Sequence, residues 1–147
     1  MTTLQELRQQ PHLSSSQLSS YVECSLQYRF AKIDKLKSES TSDALLLGSA
    51  VHAVLEEYYQ ELIVGVRMDS RAMEDSFESH WTRLCESATN LVFNKGKSFE
   101  SQLEMGKGLL RVFHQEIPDE NSNVIAIEEP FGFNVPGIPV PIIGAYD

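Results

Sequence analysis

The chain has 147 residues, 41% apolar and 22% charged, a globular composition long enough for one domain with its own core. Its formal charge of −9 argues against a surface made for duplex DNA, because Lys and Arg drive phosphate binding. Two cysteines exclude a disulfide scaffold; no apolar run reaches the roughly 20 residues of a membrane helix, and the polar start "MTTLQELRQQ" is no secretory signal, so the expectation is a cytoplasmic protein with no membrane partner.

The first predicted element is "HLSSSQLSSYVECSLQYRFAKI". Ser14, Ser15 or Ser16 can cap a helix, since a hydroxyl there accepts the free N–H groups of the first turn. Leu18, Tyr21, Val22, Leu26, Tyr28 and Phe30 follow as an apolar face, with a break expected near Cys24. "DKLKSESTSDA" reads as a polar connector. "ALLLGSAVHAVLEEYYQELIVG" is the strongest helix, with Val51, Val54, Leu55, Tyr58 and Leu62 at helical spacing and Gly65 as its stop. "DSRAMEDSFESHWTRLCESATNLVF" is the next, capped by Asp69 or Ser70, with a stripe of Met73, Phe77, Trp81, Leu84 and Cys85. "SFESQLEMGKGLLRVFHQEI" is the last, with Leu103, Gly106, Leu110 and Phe113 or His114 on one face; Gly106 and Gly108 weaken its middle.

The pattern then changes. "NVIAIEEPFGFNV" alternates and is rich in β-branched and aromatic residues. Gly137 takes the turn of "PGIPV", and "PVPIIGAYD" returns. The expectation is a hairpin, Val124–Asn134 against Val140–Asp147, and an α+β fold with helices first and strands last. The run ends on Asp147 in mid-pattern, so the strand is expected to belong to a longer domain.

Charge is uneven. Arg29, Lys32, Lys35 and Lys37 fall within nine residues opposed only by Asp34, while from Ser38 onward there are 18 acidic and 7 basic residues. The cluster reads either as a solvated helix end or as a local phosphate contact. His52 on its own is ambiguous, because a lone histidine on a helix is most often structural or simply exposed. Glu56, one turn on, can orient its ring. Glu128, Glu129 and Asp147 lie on two strands about 5 Å apart, so carboxylates on one face can converge. Taken separately, the glutamates read equally as a solvent-facing pair and Asp147 as a turn residue. Carboxylates with an imidazole suit Mg²⁺ or Mn²⁺.

Four segments occur in a telling order: "LSSSQLSSYVECSLQYRFAKI", "LLLGSAVHAVLEEYY", "AIEEPF" and "IIGAYD". Together they resemble the RecB-like branch of the PD-(D/E)xK nuclease superfamily. That branch opens with a helical S-x-S-x-L-x-x-Y-x-x-C-P-x-x-Y-like segment, then a G-x-x-x-H helix, a Glu-bearing strand and a G-x-x-D strand. The resemblance covers about residues 13 to 62 and 124 to 147. It implies the first part of a restriction-endonuclease-like α/β core and one nuclease domain over residues 1–147, its C-terminal part absent.

The resemblance also implies roles. His52 and Asp147 match metal ligands, and Glu128 matches the acid of the preceding strand, with Glu129 in its place if the register slips by one. Gly48 matches the small residue that lets the His52 helix pack closely on a neighbour. Cys24 matches a cysteine that holds a [4Fe–4S] cluster in several branches, although Ser25 stands where those branches have proline; on its own it reads as a small buried apolar residue. The cofactor implied is Mg²⁺ or Mn²⁺, which activates water and neutralises phosphoryl charge. The implied substrate is DNA, in repair, recombination or CRISPR adaptation, with a helicase or repair partner and a homodimer through an open strand edge. The (D/E)-x-K motif belongs on the strand after Asp147, so this chain alone is expected to be inactive. The competing expectation is a non-catalytic helical binding module or a degenerate nuclease scaffold.

Overall fold

The computed structural model describes residues 4–36, 38–117, 124, 126–127 and 129–146. In chain order the elements are α1 (Leu4–Arg8), α2 (Ser15–Glu23), α3 (Ser25–Tyr28) running into a π-helical turn (Arg29–Ile33), β1 (Thr41–Ser42), α4 (Asp43–Ile63), α5 (Ser70–Ser87), β2 (Leu91–Val92), α6 (Phe99–Glu116), β3 (Glu129–Phe133) and β4 (Ile142–Tyr146). The fold is α+β, as the order of patterns predicts. The chain divides into two units: a helical unit, Ser38–Ile125, and a terminal unit made of Met1–Lys37 and Ala126–Asp147.

The helical unit holds α4, α5 and α6. Ser42 caps α4, its Oγ accepting from the Ala44 N–H at 3.3 Å. Gly65 ends it in the left-handed region at φ +82°, where its N–H donates to the Leu62 carbonyl. Asp69 caps α5 through the Ala72 N–H at 2.8 Å. The core is Leu46, Ala50, Val54 and Tyr58 of α4, Met73, Phe77 and Trp81 of α5, and Leu110 of α6, with Val51, Leu55 and Leu62 half-buried at its flank. Burying each large side chain contributes about 1.5–3 kcal/mol. α6 is continuous through Gly106 because the Phe77 ring occupies the space a side chain there needs. The Trp81 indole donates to the Phe99 carbonyl at 3.3 Å, so the buried ring keeps its polar atom satisfied.

Two features depart from expectation. β1 and β2 form a two-residue parallel pair, Thr41 with Leu91 and Ser42 with Val92, too short for a period-two signal; this corrects the expected helix through Phe93, since α5 ends at Ser87 and Asn90 turns the chain at φ 49°. Asp43, expected in a polar connector, is fully buried.

In the terminal unit Ser14 and Gln17 make a reciprocal capping box at the start of α2. The helix breaks at Cys24, whose extended backbone (φ −157°, ψ 100°) ends α2 and starts α3. β3 and β4 pair antiparallel from Glu129 with Tyr146 to Phe133 with Ile142, and Gly137 takes φ +85° in the connection. At the turn end the ladder stops at Phe133 and Ile142, short of Pro136, Pro139 and Pro141, which have no N–H to donate, while Pro130 lies inside β3 opposite Ala145. The chain start adds to β4: Leu13 N donates to the Pro141 carbonyl and Ile143 N to the Leu13 carbonyl, each at 2.9 Å. Ile143 is buried.

Candidate functional site

His52 is exposed. On α4 the buried positions are 43, 46, 50, 54 and 58. At 3.6 residues per turn His52 lies about 200° around the helix from Val54, on the opposite side. Its neighbours there, Leu45, Gly48 and Ser49, are exposed as well. A Cβ at Gly48 meets nothing within 4 Å, which corrects the expected close packing: Gly48 sits on an open face. Glu56 Oε1 accepts the Gln60 side-chain amide at 3.0 Å. The helix therefore carries the imidazole outward and leaves packing to the face behind it.

The other expected ligands are not brought into view. Glu128, Asp147 and Lys37 lie outside the described residues. Glu129 is exposed on β3, paired across the hairpin with Tyr146. His52 belongs to the helical unit and the hairpin to the terminal unit. Among the described residues no three His, Cys, Asp or Glu side chains are grouped to hold a metal ion. The described residues therefore do not by themselves make a metal site.

The described residues of the basic segment, Arg29 to Leu36, are exposed. Arg29 Nε pairs with Asp34 at 3.3 Å, while Lys32 and Lys35 make no ion pair with a described residue. Lys35 adopts φ 51°, uncommon for a side chain this long. Cys24 is exposed, which corrects its reading as a buried apolar residue: the backbone break turns it away from any helix face that packs. Cys85 is half-buried on the α5 stripe as expected, and burial pushes its thiol up, away from thiolate chemistry.

Two polar clusters in the helical unit lie outside the sequence expectations. Asp43 Oδ1 accepts from the Asn94 backbone N–H at 3.2 Å and from its side-chain amide at 2.8 Å, and Oδ2 accepts from Gln102 Nε2 at 2.6 Å. These bonds tie the start of α4 to the β2–α6 connection and to α6. Glu57 accepts from the Ser76 hydroxyl and, at 2.7 Å, from His80 Nε2, while Arg83 Nη2 lies 2.7 Å from His80 Nδ1. Arginine can only donate, so Nδ1 accepts and Nε2 carries the proton. Partial burial pushes the Glu57 carboxyl up, but the Ser76 and His80 bonds with the Arg83 charge outweigh it, and the group lies below the usual carboxylate range. The order hydroxyl–carboxylate–imidazole keeps the ring off the hydroxyl, so Ser76 is not an activated nucleophile. Both clusters join helices; neither is a reaction centre. A histidine three residues from an arginine on α5 was the only visible hint of the second.

Among the described residues no helix is long and apolar enough to cross a membrane. Compared with known protein families, residues 12–147 match the model described as the PD-(D/E)XK nuclease superfamily. No curated protein and no solved structure gives a significant match. The family match runs through the capped α2, the α4 helix that turns His52 outward and the β3–β4 hairpin, and spans nearly the whole sequence. The chain thus belongs to the PD-(D/E)XK nuclease superfamily, whose members are nucleases that act on DNA and generally use divalent metal ions.

Proposed function

We propose that the chain is part of a single RecB-like, divalent-metal-dependent deoxyribonuclease domain that works in DNA repair, recombination or CRISPR adaptation. The observation that carries this is the exposed His52 on the open face of α4, inside a segment that matches the superfamily. On this reading His52 and Asp147 hold Mg²⁺ or Mn²⁺, with Glu128 as the third acidic group and Glu129 as the alternative. The ion supplies an activated water and neutralises the phosphoryl charge. The remaining acid and lysine come from a strand that follows Asp147.

Cys24 extends the reading to a [4Fe–4S] cluster. Its exposed position at the α2–α3 break leaves the thiol accessible, and three further cysteines are needed. Partners on the same reading are DNA, a helicase or repair protein, and a second copy paired at a strand edge of the hairpin.

Mn²⁺ titration of the chain by electron paramagnetic resonance tests the metal assignment. His52→Ala is expected to weaken binding by at least about tenfold, the scale on which even outer-shell losses act, with the helical circular dichroism unchanged because the side chain is exposed. In a protein that carries a lysine-bearing strand after Asp147, the same change is expected to abolish metal-dependent DNA cleavage. Unaltered Mn²⁺ affinity, or loss of the fold, would overturn the assignment and favour a scaffold that has lost its chemistry.

A further inference from the structure

The segment from α2 to the π-helical turn is rich in large side chains that are exposed among the described residues. No residue of α2, α3 or the turn is buried. Tyr21 is 58% exposed and Phe30 43%, with Leu26 and Ile33 exposed between and beyond them. Tyr28 meets Tyr21 edge-on at 5.6 Å and 88°, which fixes the Tyr21 ring in orientation. Interleaved with these are Arg29, Lys32 and Lys35, and the two lysines have no ionic partner among the described residues.

This cationic stretch stands out within an acidic chain. Residues 1–37 hold five basic and three acidic residues, whereas residues 38–125 hold seven basic and fifteen acidic. Residues 126–147 of the same unit add three acids and no base, so the attraction for a polyanion is local to Arg29, Lys32 and Lys35. A purely apolar protein partner has no use for unpaired lysines among the rings. Exposed aromatic rings in the same segment as unpaired lysines suit a ligand that offers both bases and phosphates.

We propose that α2, α3 and the π-helical turn form a stacking surface for single-stranded DNA that binds without metal. Tyr21 and Phe30 stack on bases, and Lys32 and Lys35, with Arg29, track the phosphates. A duplex hides its base faces in its own stack and offers these rings nothing but its backbone. The proposal deepens the nuclease reading by naming the strandedness of its substrate, and it adds aromatic contacts to the basic ones.

Fluorescence anisotropy with a labelled 20-nucleotide oligo(dT) and a duplex of equal length, in EDTA and low salt, tests it. The single strand is expected to bind at least about tenfold tighter than the duplex. Tyr21→Ala and Phe30→Ala are each expected to weaken single-strand binding by about tenfold, within the range for one base–aromatic stack. Lys32→Gln with Lys35→Gln is expected to reduce the slope of log affinity against log salt by roughly 1.4, or about 0.7 per phosphate contact. These side chains are exposed, and circular dichroism checks that the variants fold. Absence of binding in EDTA, equal affinity for the duplex, or ring variants that bind like the parent would overturn the proposal. Ring variants that alter oligomeric state but not oligonucleotide affinity would assign the face to protein contact. EDTA removes metal binding from the measurement, so this surface can fail while metal-dependent cleavage stands, and the reverse.

Discussion

Gly106 and Gly108 lie two residues apart on α6 and make opposite demands. A side chain at Gly106 collides with the Phe77 ring, whereas a Cβ at Gly108 meets nothing within 4 Å. Gly106→Ala is therefore expected to destabilise the protein by about 1–3 kcal/mol through overpacking. Gly108→Ala is expected to stabilise it by roughly 0.5–1 kcal/mol through helix propensity. Urea unfolding followed by circular dichroism separates the two, and shifts of the same sign would refute this account of α6. Both glycines looked like weaknesses in the sequence; only the ring facing one of them tells them apart. Asp43 was equally illegible. Its donors come from Asn94 and Gln102, 51 and 59 residues away, and nothing in "SESTSDA" announces burial. Asp43→Ala strands the buried Gln102 amide, whereas the exposed Asn94 can turn to water, and a loss of about 1–3 kcal/mol is expected in the same urea assay. A near-neutral result would mean that the carboxylate contributes little to holding α4 and α6 together.

At the scale of elements, α5 is pinned on both sides by carboxylates that fold into strong partners. Glu57 of α4 receives Ser76 and His80, while Glu74 of α5 receives the Arg111 guanidinium through two bonds of 2.9 Å. The Arg111 hydrogen bonds hold the Glu74 carboxyl below its usual range, and Glu57 lies below that range too. A carboxyl whose folded value is depressed binds its proton less readily folded than unfolded. The stability it contributes is present above the unfolded value and is lost as pH falls through the folded one. The urea midpoint is thus expected to drop below the ordinary carboxylate range, and Glu57→Gln with Glu74→Gln is expected to shrink that drop. Glu57 is 42% exposed on its side chain, so solvent screening makes its share the smaller. A double variant with the parent's pH dependence would remove these pairs from the account. The helices themselves were legible, because their stripes and their caps at Ser14 and Asp69 are local features. The pairs between helices were not, since a Glu and an Arg 37 residues apart leave no local trace. The hairpin was legible in place, with its turn at Gly137.

At the scale of the whole molecule, the two units share the chemistry unequally, and this explains how much of the candidate site the sequence disclosed. Composition and periodicity reached the α+β order. They did not separate a packed His52 from a presented one, because the stripe of α4 drifts: the buried residues fall every four positions from Leu46 to Tyr58, and the half-buried flank widens the apolar arc. The ordered motifs gave the metal reading, and the open face of α4 supports it. Segment 38–125 is also continuous in sequence and contains its own core from Leu46 to Leu110, the Asp43 cluster, and the Glu57 and Glu74 pairings. These interactions therefore lie within one stretch of chain. Produced alone, it is expected to unfold in one cooperative thermal transition, with helical circular dichroism and the Trp81 fluorescence lost together. Trp81 is fully buried, so its emission reports the core directly. Non-coincident transitions, or strong binding of a hydrophobic dye before heating, would show that the core does not close by itself. If the transition is cooperative, His52 is mounted on an independently folded support, and His52→Ala should leave its melting temperature nearly unchanged, so that a change in metal binding in the intact chain can be read as loss of a ligand.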